Sequence, residues 1–257
     1  MIKFGSGTKR QKEFLEKYLI WEFFDFSCEG RFLDVGAFHS KNSSQTWLLE
    51  KVGWKGILIE PQPENAEELR RNRPFSKVYQ TAISSPEKEG DSIFFVNSVF
   101  STLIPNTRSN TKKYDNQITV SVTTLDKILE KEDNTKIDFL KIDVEGTELD
   151  CLKGFDIGKN RPKLIFVEDI FLNLDLHNYL LSKEYRLFRR TRWNNWYVPR
   201  DNERYPSILE RLKLFRKMYL GTPVRAWKFR REKERLQKRN PPLNKGDRTT
   251  QVKEGRG

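Results

Sequence analysis

The sequence predicts a doubly wound α/β domain built on a mostly parallel sheet. Three features carry that prediction. Short apolar runs alternate with helical patterns from about residue 31 to residue 200, the signature of successive βαβ units. The runs FLDV, ILIE, FLKI and LIFV are nearly continuous in hydrophobicity, as parallel strands covered on both faces must be. Two extended segments with no helix between them then supply a closing antiparallel hairpin.

Taken in order, the chain opens with an N-terminal unit, residues 1–30. Its aromatic stretch 14–26 is interrupted by Glu16, Lys17, Glu22 and Asp25, which suits an amphipathic helix lying on the domain. Strands are expected over 31–35, 56–60, 77–83, 137–142 and 163–167. Helical spacing with breakers at the ends covers 43–52, 63–71, 124–131, 146–154 and 172–183. Residues 91–97 and 118–122 alternate apolar with polar side chains around a polar loop, 105–116. They read as an antiparallel pair inserted at a sheet edge. The closing hairpin pairs 185–192 with 195–199 through a turn at Trp193 and Asn194.

The domain therefore occupies residues 31–200. A basic helical extension, 201–239, follows and is split by Gly221 and Pro223 into 208–220 and 224–239. Residues 240–257 have few apolar side chains and are expected to be disordered.

Charge is unevenly spread. The whole chain carries +12, with 48 Lys+Arg against 36 Asp+Glu. Residues 201–257 hold 17 basic and 7 acidic side chains, or +10, which leaves only +2 for the first 200. Cys28 and Cys151 are too few for a disulfide framework or a zinc site, and read as ordinary reduced thiols. The first ten residues lack an apolar signal core, and no run approaches a membrane span. These features lead us to expect a cytoplasmic, unsecreted protein whose basic extension is a candidate peripheral contact with an anionic membrane.

Doubly wound sheets bind ligands outside the carboxyl ends of their strands, where strand order reverses. The first strand here ends in Asp34-Val-Gly36-Ala37-Phe38-His39, and Gly36 permits a tight turn close to a ligand. The second ends in Glu60-Pro61, with Glu60 placed to accept hydrogen bonds from both hydroxyls of a ribose. A dinucleotide site would need further glycines after Gly36 to cradle a pyrophosphate. Ala37, Phe38, His39, Ser40 and Lys41 stand there instead.

An acid for ribose without a phosphate cradle points to a phosphate-free nucleoside, of which S-adenosyl-L-methionine is the commonest cofactor. The expected binding set is Asp34 toward the methionine end, Gly36, Ala37 and Phe38 along the turn, Glu60 and Pro61 at the ribose, and Ala82 and Ile83 beside the adenine. The competing structural reading has Asp34 capping the next helix and Glu60 as a solvated loop acid.

The fourth strand ends in Lys141-Ile-Asp143-Val-Glu145-Gly146 and the fifth in Val167-Glu168-Asp169. Four carboxylates thus converge on one sheet edge. Crowded like charges are costly unless they meet a cation, a sulfonium or substrate hydroxyls. Capping of the following helices accounts for part of them, with Glu145 and Asp169 the strongest cases.

With these motifs in place the chain resembles the FkbM-type methyltransferases. The resemblance rests on FLDVGAFHS, GILIEPQPENAEELRRN, VYQTAIS, STL at 101–103, VTTLDKIL and above all IDFLKIDVEGTELDCLKGF. It implies a class I methyltransferase fold with a seven-stranded sheet, and O-methylation of a hydroxyl, for instance on a sugar, glycan or glycolipid. A poorly nucleophilic hydroxyl benefits from a base, and Asp143, Glu145, Glu168 and His39 are the candidates. Asp143 also belongs to the cofactor set. His177, within a helical pattern, reads as a surface or packing residue. Oxygen ligands from Asp143, Glu168 or Asp169 could alternatively hold a divalent cation such as magnesium.

Two rival functions follow from other features. The basic tail, with Arg189, Arg190, Arg192, Trp193 and Trp196, would suit an RNA ribose methyltransferase, with Lys41 or Lys141 beside its base. A non-catalytic binding module would keep the fold and lose turnover, although the acids at successive strand ends argue against it.

Overall fold

The computed structural model describes residues 9–96, 101–103, 116–169 and 173–220. Five parallel strands form the centre of the main sheet: β1 (Arg31–Val35), β2 (Lys55–Ile59), β3 (Ser76–Tyr79), β7 (Phe139–Ile142) and β8 (Leu164–Glu168). The hairpin β9 (Tyr185–Thr191) and β10 (Asn194–Pro199) completes seven strands in the order β3-β2-β1-β7-β8-β10-β9. Strand β10 runs antiparallel to both β8 and β9. The chain winds outward from β1 to β3 and returns beside β1 as β7, so the order reverses between β1 and β7.

Alternation along each strand divides the core in two. Leu33, Val35, Ile57, Ile59, Leu140, Ile142, Ile165 and Val167 face one layer. That layer contains α4 (Leu125–Glu130), α5 (Glu148–Lys153), α6 (Ile157–Asn160) and α7 (Leu174–Ser182). Phe32, Leu58, Phe139, Phe166 and Trp196 face the other, against α1 (Lys9–Phe23), α2 (Trp47–Lys51) and α3 (Pro63–Asn72). Leu19, Ile20 and Phe23 of α1 enter this second layer, so the N-terminal helix is part of the folded body.

Several expectations are corrected in detail. The run 77–83 is two strands rather than one. Strand β3 stops at Tyr79, and the Thr81 hydroxyl donates to the Ser121 carbonyl at 2.8 Å. That turns β4 (Ala82–Ile83) out of the main sheet to pair with β6 (Asn116–Thr123). The antiparallel pair β5 (Gly90–Val96) and β6 is likewise no edge of the main sheet; with β4 it makes a separate three-stranded sheet around Phe94, Val120 and Val122.

The hairpin turn sits one residue earlier than expected, at Arg192 and Trp193, because Asn194 already pairs with Thr191. Arg192 takes a φ of 51° to close it. The helix expected over 43–52 shrinks to α2. Buried Arg73 explains this, binding the Ser40 carbonyl, the Ser44 and Thr46 hydroxyls and the Glu50 carboxylate. Side chains recruited in this way offer the backbone an alternative to helix.

His177 is a buried packing residue, with its two ring nitrogens 3.1 and 2.9 Å from the hydroxyls of Tyr197 and Tyr219. Both cysteines are free thiols, Cys28 exposed and Cys151 buried. After the sheet, α8 (Ile208–Phe215) continues into a π-helical turn, Arg216–Leu220. The expected helix 224–239, the tail 240–257 and the loop 105–115 lie outside the described residues.

Candidate active site

A cavity of about 240 Å³ opens at the carboxyl ends of β1, β2, β7 and β8, beside the reversal of strand order. The turn after β1 builds its floor. Gly36 has a φ of 77°, and a Cβ there would stand 1.9 Å from the Asp143 carbonyl oxygen. Only glycine lets the β1 and β7 turns approach so closely. The amides of Gly36 and Ala37 both donate to the Ile59 carbonyl, at 3.0 and 3.1 Å, and that of Asp143 donates to Val35 at 3.0 Å.

Glu60 is 3% exposed and lies across this turn. Its Oε2 accepts from the Phe38 amide at 3.0 Å and its Oε1 from the Gln62 amide at 2.9 Å. Burial raises its pKa, a shift opposed by the Gln62 and Phe38 amides. Pro61, Gln62, Ala82 and Ile83 continue the wall, with Phe94 and Leu103 contributed by the small sheet and its connection. The Gln62 side chain donates to Ser101 Oγ at 3.0 Å and so ties that connection to the β2 turn.

Beneath the turn lies an ion-pair cluster. Asp34 is fully buried, accepts from Thr46 Oγ1 at 2.7 Å and stands 3.0 Å from Lys141 Nζ. The same ammonium donates to the Gly36 carbonyl at 2.7 Å and lies 3.7 Å from Asp143. Burial pulls the Lys141 pKa down, but Asp34 and Asp143 outweigh it and leave it above its ordinary value. Lys141 therefore locks the β1 turn to β7 from below.

Above it, Asp143, Glu145 and Glu168 each offer an oxygen within 4.8 Å of the others. Burial first, then the charges of Asp143, Glu145 and Glu168's other neighbour Glu148, hold the Glu168 carboxyl well above the usual carboxylate range. Such a trio could hold a hard cation by oxygen ligation. It could equally receive a cationic ligand or a substrate hydroxyl.

The expected residues thus separate into three places. Gly36, Ala37, Phe38, Glu60, Pro61, Ala82, Ile83, Asp143, Glu145 and Glu168 all line the cavity. Asp34 stands behind its wall. His39 is exposed, outside the lining, with its ring 4.0 Å from that of Phe38. Asp169 also lies apart; it accepts from the Asn173 amide and from Asn195 Nδ2 at 2.8 and 2.9 Å, fastening the approach to α7.

Of the residues suggested for RNA, Trp196 is in the core and Arg190 is bound to Asn195 and to the Asp169 carbonyl. Arg192 and Trp193 remain at the cavity.

Two charged wall residues have roles that the sequence reading did not give them. Lys141 had a signal: a lysine inside the apolar run FLKI must find a buried partner. Glu16 had none, because an acid on an amphipathic helix looks solvated. It is buried, lines the cavity, and accepts from Thr191 Oγ1 and Asn194 Nδ2. Burial raises its pKa.

The family model for the methyltransferase FkbM domain matches residues 34–187, from the Asp34 turn into β9. The chain belongs to the FkbM methyltransferase family. No curated protein sequence matches it. Among solved structures it is similar to the FkbM methyltransferase of Methylobacillus flagellatus KT, with 21% identity and a TM-score of 0.46 over 67% of this chain. The match covers 44% of that protein, so the present chain spans less than half of its relative's length.

An O-methyltransferase of Bacillus cereus, solved with S-adenosylhomocysteine, shares 10% identity over 76% of this chain and 82% of its own, with a TM-score of 0.40. TrmK of M. capricolum, also with S-adenosylhomocysteine, shares 12% over 96% and 90%, with a TM-score of 0.41.

The cavity of this FkbM domain fits S-adenosyl-L-methionine. It combines the Gly36 turn, the buried acid Glu60, apolar walls at Ala82, Ile83 and Phe94, and the clustered carboxylates of Asp143, Glu145 and Glu168.

Proposed function

We propose that this FkbM domain is an S-adenosyl-L-methionine-dependent O-methyltransferase acting on the hydroxyl of a small molecule or glycan. The observation that carries the reading is the convergence, in one cavity, of Glu60 with the trio Asp143, Glu145 and Glu168. The cofactor would supply a methyl group on a positively charged sulfur, open to in-line attack by an oxygen.

The chain's own residues do the rest. Glu60 binds the ribose hydroxyls and is aimed by the Phe38 and Gln62 amides. Ala82, Ile83, Phe94 and Leu103 enclose the base and exclude water. Lys141 and Asp34 fix the Gly36 turn, so positioning is built into the fold, where most of the catalytic advantage of such a displacement arises. Asp143, accompanied by Lys141, accepts the acceptor hydroxyl's proton, while Glu168 holds its own proton and orients the hydroxyl. His39, facing solvent, takes no part. A divalent cation on the trio would be a substitute for the protein base.

The walls favour a neutral, hydroxylated acceptor over RNA. The carboxyl groups of Glu16, Glu60, Asp143, Glu145 and Glu168 outnumber the two cations of the lining, Lys141 and Arg192, so the cavity offers hydrogen-bond partners for hydroxyls rather than a cationic track for a phosphate backbone. The deciding experiment incubates the protein with S-adenosylmethionine labelled at the methyl group and with separate small-molecule, glycan, lipid and RNA fractions. Base-stable label in a small molecule, glycan or glycolipid supports the reading. Label confined to RNA, or none in any fraction despite cofactor binding, overturns it.

A further inference from the structure

The helix after the sheet carries two apolar faces, and among the described residues only one of them is packed. Leu214 and Met218, four residues apart, turn toward the domain; Met218 is buried, and the adjoining Tyr219 hydroxyl bonds to His177. These contacts seat α8 and its π-helical turn. The opposite face holds Ile208, Leu209, Leu212, Phe215 and Leu220, each between 54% and 74% exposed. Their spacing places them in one stripe along the helix.

Scattered exposed hydrophobics are ordinary, but a contiguous row of five marks a docking surface. The exposed cations Arg211, Lys213, Arg216 and Lys217 lie on the same two turns and Glu210 is the lone acid among them. Glu210 is itself engaged in the capping box with Ser207, so the helix is formed before any partner arrives.

We propose that this stripe rests on an anionic lipid surface, with Ile208, Leu209, Leu212 and Phe215 among the acyl chains and the cations among the headgroups. A membrane offers an apolar interior beneath negative charge, the complement of this face. Nucleic acid would use the cations and leave the aliphatic row wet. A second copy of the chain would press like charges together. No described helix is long and apolar enough to cross a membrane, so the helix lies in the interfacial plane. The excess of +10 carried by residues 201–257 acts in the same direction. This inference is independent of the methyl acceptor.

The test is flotation of the full chain with phosphatidylcholine vesicles, with and without about a third phosphatidylglycerol, at low and high salt. Wild type and Leu212→Glu/Phe215→Glu are compared, neither residue belonging to the active site. We expect wild type to float with the anionic vesicles at least ~10-fold more than with neutral ones, and the double variant to lose that binding with unchanged melting temperature and unchanged S-adenosylhomocysteine affinity.

Equal flotation of wild type and variant overturns the proposal. So does indifference of wild type to anionic vesicles. A variant that melts early shows the stripe covered by the chain itself. A dimer lost in the variant, or RNA binding lost with vesicle binding absent, assigns the face to those partners instead.

Discussion

Glu60→Gln tests the cofactor site most directly, because it removes a charge and keeps the shape. In the native turn the two carboxylate oxygens accept from separate amides, Phe38 at 3.0 Å and Gln62 at 2.9 Å. A carboxamide has one acceptor oxygen and one donor group, so one amide loses its partner and faces another donor. An unsatisfied buried N–H costs about 1–3 kcal/mol. At roughly 2–4 °C per kcal/mol for a domain of this size, melting should fall by about 2–12 °C.

The ligand suffers more specifically. Hydroxyl hydrogen bonds to a charged acceptor contribute about 1.5–3 kcal/mol each, and a neutral acceptor retains part of that. A net loss of about 2 kcal/mol corresponds to roughly 30-fold weaker binding. Calorimetric titration with S-adenosylhomocysteine measures it, with thermal melts on the same samples. If affinity stays within about twofold while melting falls, Glu60 merely fastens the loop and the ribose assignment is refuted.

Four further outcomes follow from the same geometry. Lys141→Met strands the fully buried Asp34 charge and should cost about 3–5 kcal/mol in urea unfolding, with Asp34→Asn added to it restoring more than half; additive losses would show that the pair is not coupled. Asp143→Asn should lower methyl transfer ~100-fold or more while melting hardly moves, and near-normal turnover would hand the base to Glu145.

His39→Ala should leave turnover within about twofold, and a loss on the scale of a general base would return His39 to the site. Glu168 holds its proton more tightly folded than unfolded, so wild type should lose stability as pH rises above the ordinary glutamate value of 4.5. Glu168→Gln should flatten that decline in melts from pH 5 to 9, whereas parallel curves would place the titration elsewhere.

The architecture was legible because its signals are local. Runs such as FLDV and FLKI are apolar but for one residue each, Asp34 and Lys141, and near-continuous hydrophobicity is what a strand covered on both faces shows. Gly36 and Glu60 were legible for a related reason: the fold fixes where strand ends lie, and unusual residues there stand out. The break after Tyr79 was not legible, because Ala82 and Ile83 suit either sheet. A hydroxyl bond from Thr81 to Ser121, 40 residues away, decides between them.

The short α2 has the same kind of cause, since Arg73 reaches back 27 to 33 residues to claim the hydroxyls and carbonyl of the preceding loop. The hairpin turn shows how narrow the margin can be, a single position separating the expected from the observed.

The sequence by itself determined the order of strands and helices, the ligand edge of the sheet and the acids that stand there, because side-chain periodicity and strand-end chemistry are properties of neighbouring residues. Tertiary structure alone decided which carboxylates open into the cavity and which are spent on the frame. Asp34, Asp143 and Glu16 are alike in a list of residues, yet Asp34 is paired beneath the floor, Asp143 opens into the cavity, and Glu16 arrives from a helix more than 170 residues away from its partners Thr191 and Asn194. A carboxylate's role is set by burial and by the charges beside it, and both depend on contacts between segments far apart in the chain.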